Sequence, residues 1–141
     1  QTLPAEQFET GYRSVVPPTE GLWFIGAELQ FEPDVDGQAA ERIRTMITER
    51  KARQPVGKPS CGSVFRNPQG DHAARLIEAA GLKGHVIGDA QVSEKHANFI
   101  INRGDATAAD IESLMGLVRL TVHSQFKVDL IPEVRVIGEA A

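Results

Sequence analysis

The sequence predicts an α+β domain, a small sheet with about three helices packed on it. Three observations carry that reading. Apolar residues recur at helical spacing in three separate stretches, near residues 38–53, 71–80 and 107–122. Short runs of strand character lie around them, and residues 22–31 alternate most clearly. The two kinds of stretch are interspersed without a repeating β-α rhythm, and no internal repeat or low-complexity tract is visible.

Residues 1–21 show no long helical or strand period and read as a lead-in, closing on Pro17-Pro18. From Leu22 to Phe31, Trp23, Ile25, Ala27, Leu29 and Phe31 share one face while Glu28 and Gln30 take the other. That period of two predicts a half-buried strand. Pro33 and Gly37 break it, with Asp36 as a candidate helix N-cap. A helix is expected over about Gln38–Arg53, with Ala40, Ile43, Met46, Ile47 and Arg50 stacked on one side and Gln54-Pro55 as its stop. Residues 55–70 carry Pro55, Gly57, Pro59, Gly62, Pro68 and Gly70, a long loop of the kind that often serves function.

A second helix is expected over about Asp71–Ala80, with Ala73, Leu76, Ile77 and Ala80 inward and Gly81 just past its C-cap. Val86-Ile87 is a brief apolar stretch, and Asn98–Asn102 reads as a short central strand before the turn at Gly104-Asp105. Thr107 and Asp110 stand at capping-box spacing and open a third helix with Ile111, Leu114, Met115, Val118 and Val122 in register. Lys127–Leu130 and Val134–Ile137 read as final strands flanking Pro132.

At 141 residues the chain suits about one domain, and a domain of that size buries roughly 70% of its unfolded surface without staples. Hydrophobic residues are 41% and charged residues 24%, which excludes disorder, collagen repeats and coiled-coil rods. The net charge of −4 argues against a nucleic-acid grip. No apolar run approaches the 18 or so residues of a membrane span. The single cysteine, Cys61, has no internal disulfide partner and fits a reducing compartment. The sequence opens on Gln1 with no signal-peptide pattern, and the expectation is a piece of a longer protein.

The four histidines, His72, His85, His96 and His123, match no zinc spacing with Cys61, so no metal is expected and ordinary core or surface histidines are the simpler reading. Gly81, Gly84 and Gly88 are spaced unlike a phosphate-binding fingerprint and follow a helix, as turn glycines do. Arg42, Arg44, Arg50, Lys51 and Arg53 form a basic run that reads as a solvated helix face, with a ligand's pyrophosphate as the rival partner. The densest polar stretch runs from Ser60 to Pro68. There Gly62 permits close backbone approach, Ser63 can donate or accept a proton, and Asn67 can pair an amide or hydroxyl. A well-made turn explains it equally. Cys61 is the weaker nucleophile, with no adjacent base. Glu133 lies among apolar neighbours, where a carboxylate must be paired or functional. Arg135, on the same strand face, offers an ion pair as the plain alternative.

Four ordered blocks then carry a resemblance. They are Gly62-Ser63-Val64-Phe65-Arg66-Asn67-Pro68, Leu76-Ile77-Glu78-Ala79-Ala80-Gly81-Leu82-Lys83-Gly84, Val92-Ser93-Glu94-Lys95-His96-Ala97-Asn98-Phe99-Ile100-Ile101-Asn102 and Pro132-Glu133-Val134-Arg135-Val136-Ile137-Gly138-Glu139. Together they resemble the C-terminal, substrate-binding domain of the UDP-N-acetylenolpyruvoylglucosamine reductases, flavoproteins of peptidoglycan precursor synthesis. Phe8–Arg13 resembles the end of that family's flavin domain, so residues 1–21 are expected to be flavin-domain end and linker, and 22–141 the C-terminal domain. Gly88-Asp89-Ala90 stands where the family usually has Gly-Gly-Ala. Ser14 follows Arg13 directly, where a second serine is more often two residues on. The span from Phe31 to Arg42 is too short for the tyrosine-bearing insertion of one branch.

The resemblance implies a cytoplasmic enzyme that converts UDP-N-acetylglucosamine enolpyruvate to UDP-N-acetylmuramate. NADPH reduces FAD, and the flavin passes a hydride to the enolpyruvyl double bond. It implies Ser63 as proton donor, with Arg13 and Glu133 completing the catalytic set, and Asn67 and His96 contacting substrate. FAD would be held mainly by the enzyme's own flavin domain, leaving no cofactor site here and this chain inactive alone. No nucleic-acid or membrane partner is implied. A nucleotide-sugar binding module without redox chemistry is the rival, although binding alone needs neither Ser63 nor Glu133. A scaffold for cell-wall proteins would need a large exposed apolar patch, which the amphipathic patterns do not suggest.

Overall fold

The computed structural model describes residues 2–138. Gln1 and Glu139, the last residue of the fourth block, lie outside the described residues. Two compact units divide the chain, residues 1–37 and 38–141.

The first unit holds a 3-10 turn, Ala5–Gln7, and a hairpin of β1 (Glu9–Gly11) and β2 (Ser14–Val16). Glu9 pairs with Val16 and Gly11 with Ser14, leaving Tyr12 and Arg13 as the two turn residues. The lead-in reading missed this hairpin, because three-residue strands are too short to show a period. The strand expected at Leu22–Phe31 does not form. Trp23 is 89% exposed, Ile25 99% and Phe31 79%, so apolar surface lies open where the patterns suggested no exposed patch. Alternation marks a segment that could lie on a sheet, but a strand exists only where a neighbour takes up its N–H and C=O groups. The described part of this unit offers residues 22–31 no such neighbour.

In the second unit, α1 (Ala39–Arg53) begins after Gln38, not at an Asp36 cap, and stops where Gln54 turns extended ahead of Pro55. None of its residues is buried, and the expected apolar side of Ile43, Met46 and Ile47 is exposed. The helix α2 (Ala73–Ala79) buries Ala73, Leu76 and Ile77. Gly81 adopts φ +74°, and the Leu82 and Gly81 N–H groups return to Ile77 O and Glu78 O at 3.2 and 2.9 Å. That is a Schellman ending, which needs a residue at ease in the left-handed region.

An antiparallel sheet follows, in the order β3 (Val86–Ile87), β4 (Ala90–Val92), β5 (Ile100–Asn102). Val92 faces Ile100 and Ala90 faces Asn102. The Asp89 carboxylate in the β3–β4 turn accepts from the Asp105 N–H at 3.0 Å, so this aspartate helps hold the loop after β5. Thr107 and Asp110 close the expected capping box on α3 (Ala108–Phe126), which packs on α2, β3 and β4. Leu114, Val118 and Val122 meet Leu76, Ile77, Val92, Val64, Phe65 and Leu130 in one core.

The two final strands do not form. Lys127 takes the left-handed conformation, φ 58°, and ends α3 with a reversal. Leu130 anchors the returning chain in the core, and its carbonyl accepts from Arg119 Nε at 3.2 Å. Val136 and Ile137 are exposed, and among the described residues the segment pairs with the fold through one bridge, Phe65 to Pro132.

A candidate active site around Ser63

The long loop is held at several points. Ser60 bridges to Ile101, and the Asn102 N–H donates to Pro59 O at 3.0 Å, so the loop begins as an extra edge on β5. Gly62 then turns with φ +83°, a conformation that strains any side-chain-bearing residue. Val64 and Phe65, directly after the half-buried Ser63, are core residues at 1% and 2% exposure. Ser63 is thus fixed between a turn and a buried anchor.

Asn98, only 4% exposed, grips the anchor. Its Oδ1 accepts from the Phe65 N–H at 3.0 Å, its Nδ2 donates to Phe65 O at 2.8 Å, and its carbonyl accepts from the Val64 N–H at 2.9 Å. The Glu133 N–H donates to Val64 O at 2.8 Å, and the Arg66 N–H donates to Ile131 O at 2.9 Å. This antiparallel register sets Glu133 across from Val64, one residue from Ser63. Glu133 Oε2 is closed off from solvent. Ser63 and Glu133, 70 positions apart in sequence, therefore sit on two backbone segments clamped to each other.

The β4–β5 loop places His96. Ser93, 1% exposed, accepts on Oγ from the Lys95 and His96 N–H groups at 3.2 and 3.3 Å. The His96 ring meets Phe99 edge-on with centroids 4.9 Å apart. Burial pushes the His96 pKa below its ordinary value, and the Lys83 charge adds to this. A neutral imidazole at pH 7 follows. Its Nδ1 is buried with no hydrogen-bond partner among the described residues, and an unsatisfied buried polar atom is costly unless a ligand completes it.

Phe99 also lines a cavity of about 350 Å³ with Ile47, Arg50, Lys51, Lys58 and Ser60. Three basic residues along one concavity favour an anion there over a cation. The basic run thus divides. Arg44 and Arg53 pair on the solvent side with Glu41 and Glu49, while Arg50 and Lys51 reach the cavity. Sequence reasoning missed Lys58 altogether. The Lys95 ammonium donates to Lys51 O at 2.6 Å and ties the β4–β5 loop to the end of α1.

The remaining expected residues are placed differently. Asn67 Oδ1 accepts from the Ala73 N–H at 3.1 Å, so its side chain also holds the start of α2. Arg13 lies in the first unit, at φ 58° in the β1–β2 turn, with its guanidinium 5.8 Å from the Tyr12 ring centroid. Desolvation raises the Cys61 pKa, which leaves a protonated thiol and a poor nucleophile. The glycines do not fit a flavin diphosphate. A Cβ at Gly88 would overlap the Asp110 carboxylate, and one at Gly84 would meet Glu94 Oε1 at 3.2 Å. Carboxylates behind both turns repel a diphosphate.

Residues 54–137 match the family model for the UDP-N-acetylenolpyruvoylglucosamine reductase C-terminal domain. The chain belongs to this family. Among UDP-N-acetylenolpyruvoylglucosamine reductases, that of Methylococcus capsulatus is 61% identical, over 96% of this chain and 44% of its own length. That of Alkalilimnicola ehrlichii is 58% identical, over 96% and 45%. The crystal structure of the reductase (MurB) from Thermus caldophilus is similar with TM-score 0.66 and 34% identity, covering 89% of this chain and 44% of that one. This chain therefore spans less than half the length of these reductases. The α+β fold is the one the family resemblance implies.

Proposed function

We propose that this chain is the substrate-binding and proton-donating part of an NADPH-dependent reductase that forms UDP-N-acetylmuramate. Family membership supports the reaction class, and the observation that carries the site is the pairing of the Ser63 and Glu133 backbone segments through Phe65 and Pro132. FAD, held by the rest of that enzyme, supplies the hydride that NADPH delivers to it.

The residues here act on the other half of the chemistry. Ser63 Oγ–H gives its proton to the carbon beside the substrate carboxylate, as the enolate there collapses. Serine is a weak acid in water, but a strongly basic carbon takes its proton when the two are in line. The buried side of Glu133 hydrogen-bonds the enolised carboxylate, with one proton shared between them. For Arg13, the family resemblance implies pairing with a substrate carboxylate as charge grows on it. Arg50, Lys51 and Lys58 face the UDP diphosphate, and His96 and Asn67 hold the sugar end. The reaction occurs in the cytoplasm, where the nucleotide precursor is made.

His96→Ala is expected to weaken UDP-sugar binding by about 0.5–1.5 kcal/mol, the worth of a neutral hydrogen bond. Isothermal titration of the full-length enzyme reads this directly, and an unchanged affinity returns His96 to a purely structural role. The reaction itself is tested by following NADPH absorbance in the full-length enzyme with and without UDP-N-acetylglucosamine enolpyruvate. Substrate-dependent oxidation with UDP-N-acetylmuramate as product is expected. Oxidation indifferent to the sugar contradicts the proposal.

A further inference from the structure

We infer that Asn98 is the positioning residue for the Ser63 proton donor, an inference that rests on Ser63 having that role. Here one buried side chain does the work of a strand neighbour, filling both backbone groups of Phe65 at 3.0 and 2.8 Å while its own carbonyl takes the Val64 N–H. The opposite edge of the segment is tied to Ile131 and Glu133. Asn98 thus helps set where the segment lies between the β4–β5 loop and the returning Ile131–Glu133 segment. Ser63 is the first residue beyond that grip, and Gly62 before it contributes no side-chain anchor.

The same loop carries His96 two residues earlier, joined to Asn98 by the turn in which the Phe99 N–H donates to His96 O at 3.1 Å. One loop therefore holds a substrate contact at one end and the backbone of the donor at the other. Among the described residues, Asn98 supplies the side-chain donor and acceptor on Phe65, and the bonds from Val64 N–H to Asn98 O, Arg66 N–H to Ile131 O and Glu133 N–H to Val64 O are backbone to backbone. Asparagine suits this role because its amide presents one donor and one acceptor side by side, matching a peptide edge. Aspartate keeps the shape but presents acceptors only, and so opposes the Phe65 carbonyl.

The test uses the full-length enzyme and three variants: Asn98→Asp, Ser63→Ala and the two combined. Stopped-flow absorbance separates flavin reduction by NADPH from reoxidation by the enolpyruvyl sugar. Asn98→Asp is expected to leave reduction unchanged and to slow reoxidation about 10²-fold, as a misplaced reacting group does. Sugar affinity is expected to stay within a few fold. In the Ser63→Ala background the Asn98 change should add almost nothing, because its effect runs through a proton donor already removed. A merely structural asparagine would slow both backgrounds alike, and that multiplicative result overturns the inference. An unslowed Asn98→Asp overturns it too. If Ser63→Ala alone leaves reoxidation at the wild-type rate, it is the donor reading that fails and the inference falls with it. Asn98→Ser provides the same readout should the aspartate variant not fold. Loss of the melting transition in both also overturns the assignment, since Asn98 would then serve the whole core.

Discussion

Ser63→Ala in the full-length reductase is expected to leave flavin reduction by NADPH at its normal rate and to slow reoxidation by the enolpyruvyl sugar by about 10²–10⁴-fold. The asymmetry follows from where Ser63 acts. It touches no nicotinamide or flavin atom in this account, and its hydroxyl matters only when the enolate needs a proton. The backbone that carries it is fixed by Val64, Phe65 and Asn98, none of which the substitution alters. Folding and sugar affinity should therefore survive. Stopped-flow absorbance reads the two half-reactions separately. Reoxidation at the wild-type rate would make Ser63 a turn residue and no more.

Glu133→Gln is the second large effect. The amide keeps the carboxylate's shape, and the Glu133 N–H bond to Val64 O does not depend on the side chain. What is lost, on the role proposed for Glu133, is the ability to share a proton with the enolised carboxylate of the substrate. The bond strengthens as charge develops, so its loss falls on the transition state more than on the ground state. Turnover is expected to fall about 10²-fold, with KM changed by no more than a few fold. Steady-state kinetics across substrate concentrations decide it. A rise in KM at constant kcat would show Glu133 to be a binding group only.

Much of the second unit was legible in the sequence. The apolar spacing of Leu76 and Ile77, the Gly81 ending, and the Thr107–Asp110 capping box are local signals, and local signals survive folding. The failures share one cause. Residues 22–31 and 134–137 have strand-like composition, but a strand depends on a neighbour that no local pattern names. The exposed side of α1 fails in the same way, since Ile43, Met46 and Ile47 show a face without showing what meets it.

The site divides along the same line. The polar density around Ser63 and the carboxylate at Glu133 were visible as residues, and the family resemblance supplied their expected roles. The nearness of their backbone segments was not visible, because it depends on Phe65 pairing with Pro132. Asn98 gave no signal at all. It reads as one residue of a strand, and its work is done on Phe65, 33 positions away. Arg50 and Lys51 read first as part of a solvated helix face, with a pyrophosphate as the rival, because sequence spacing cannot tell them from Arg44 and Arg53.

The most direct test of the account is a crystal structure of the full-length reductase with UDP-N-acetylglucosamine enolpyruvate bound. The account predicts Ser63 Oγ about 3–3.5 Å from the carbon that gains the proton, the spacing of groups poised to react. It also predicts the diphosphate in the cavity of Arg50, Lys51 and Lys58. An enolpyruvyl group turned away from Ser63, with another acid nearer that carbon, would contradict it.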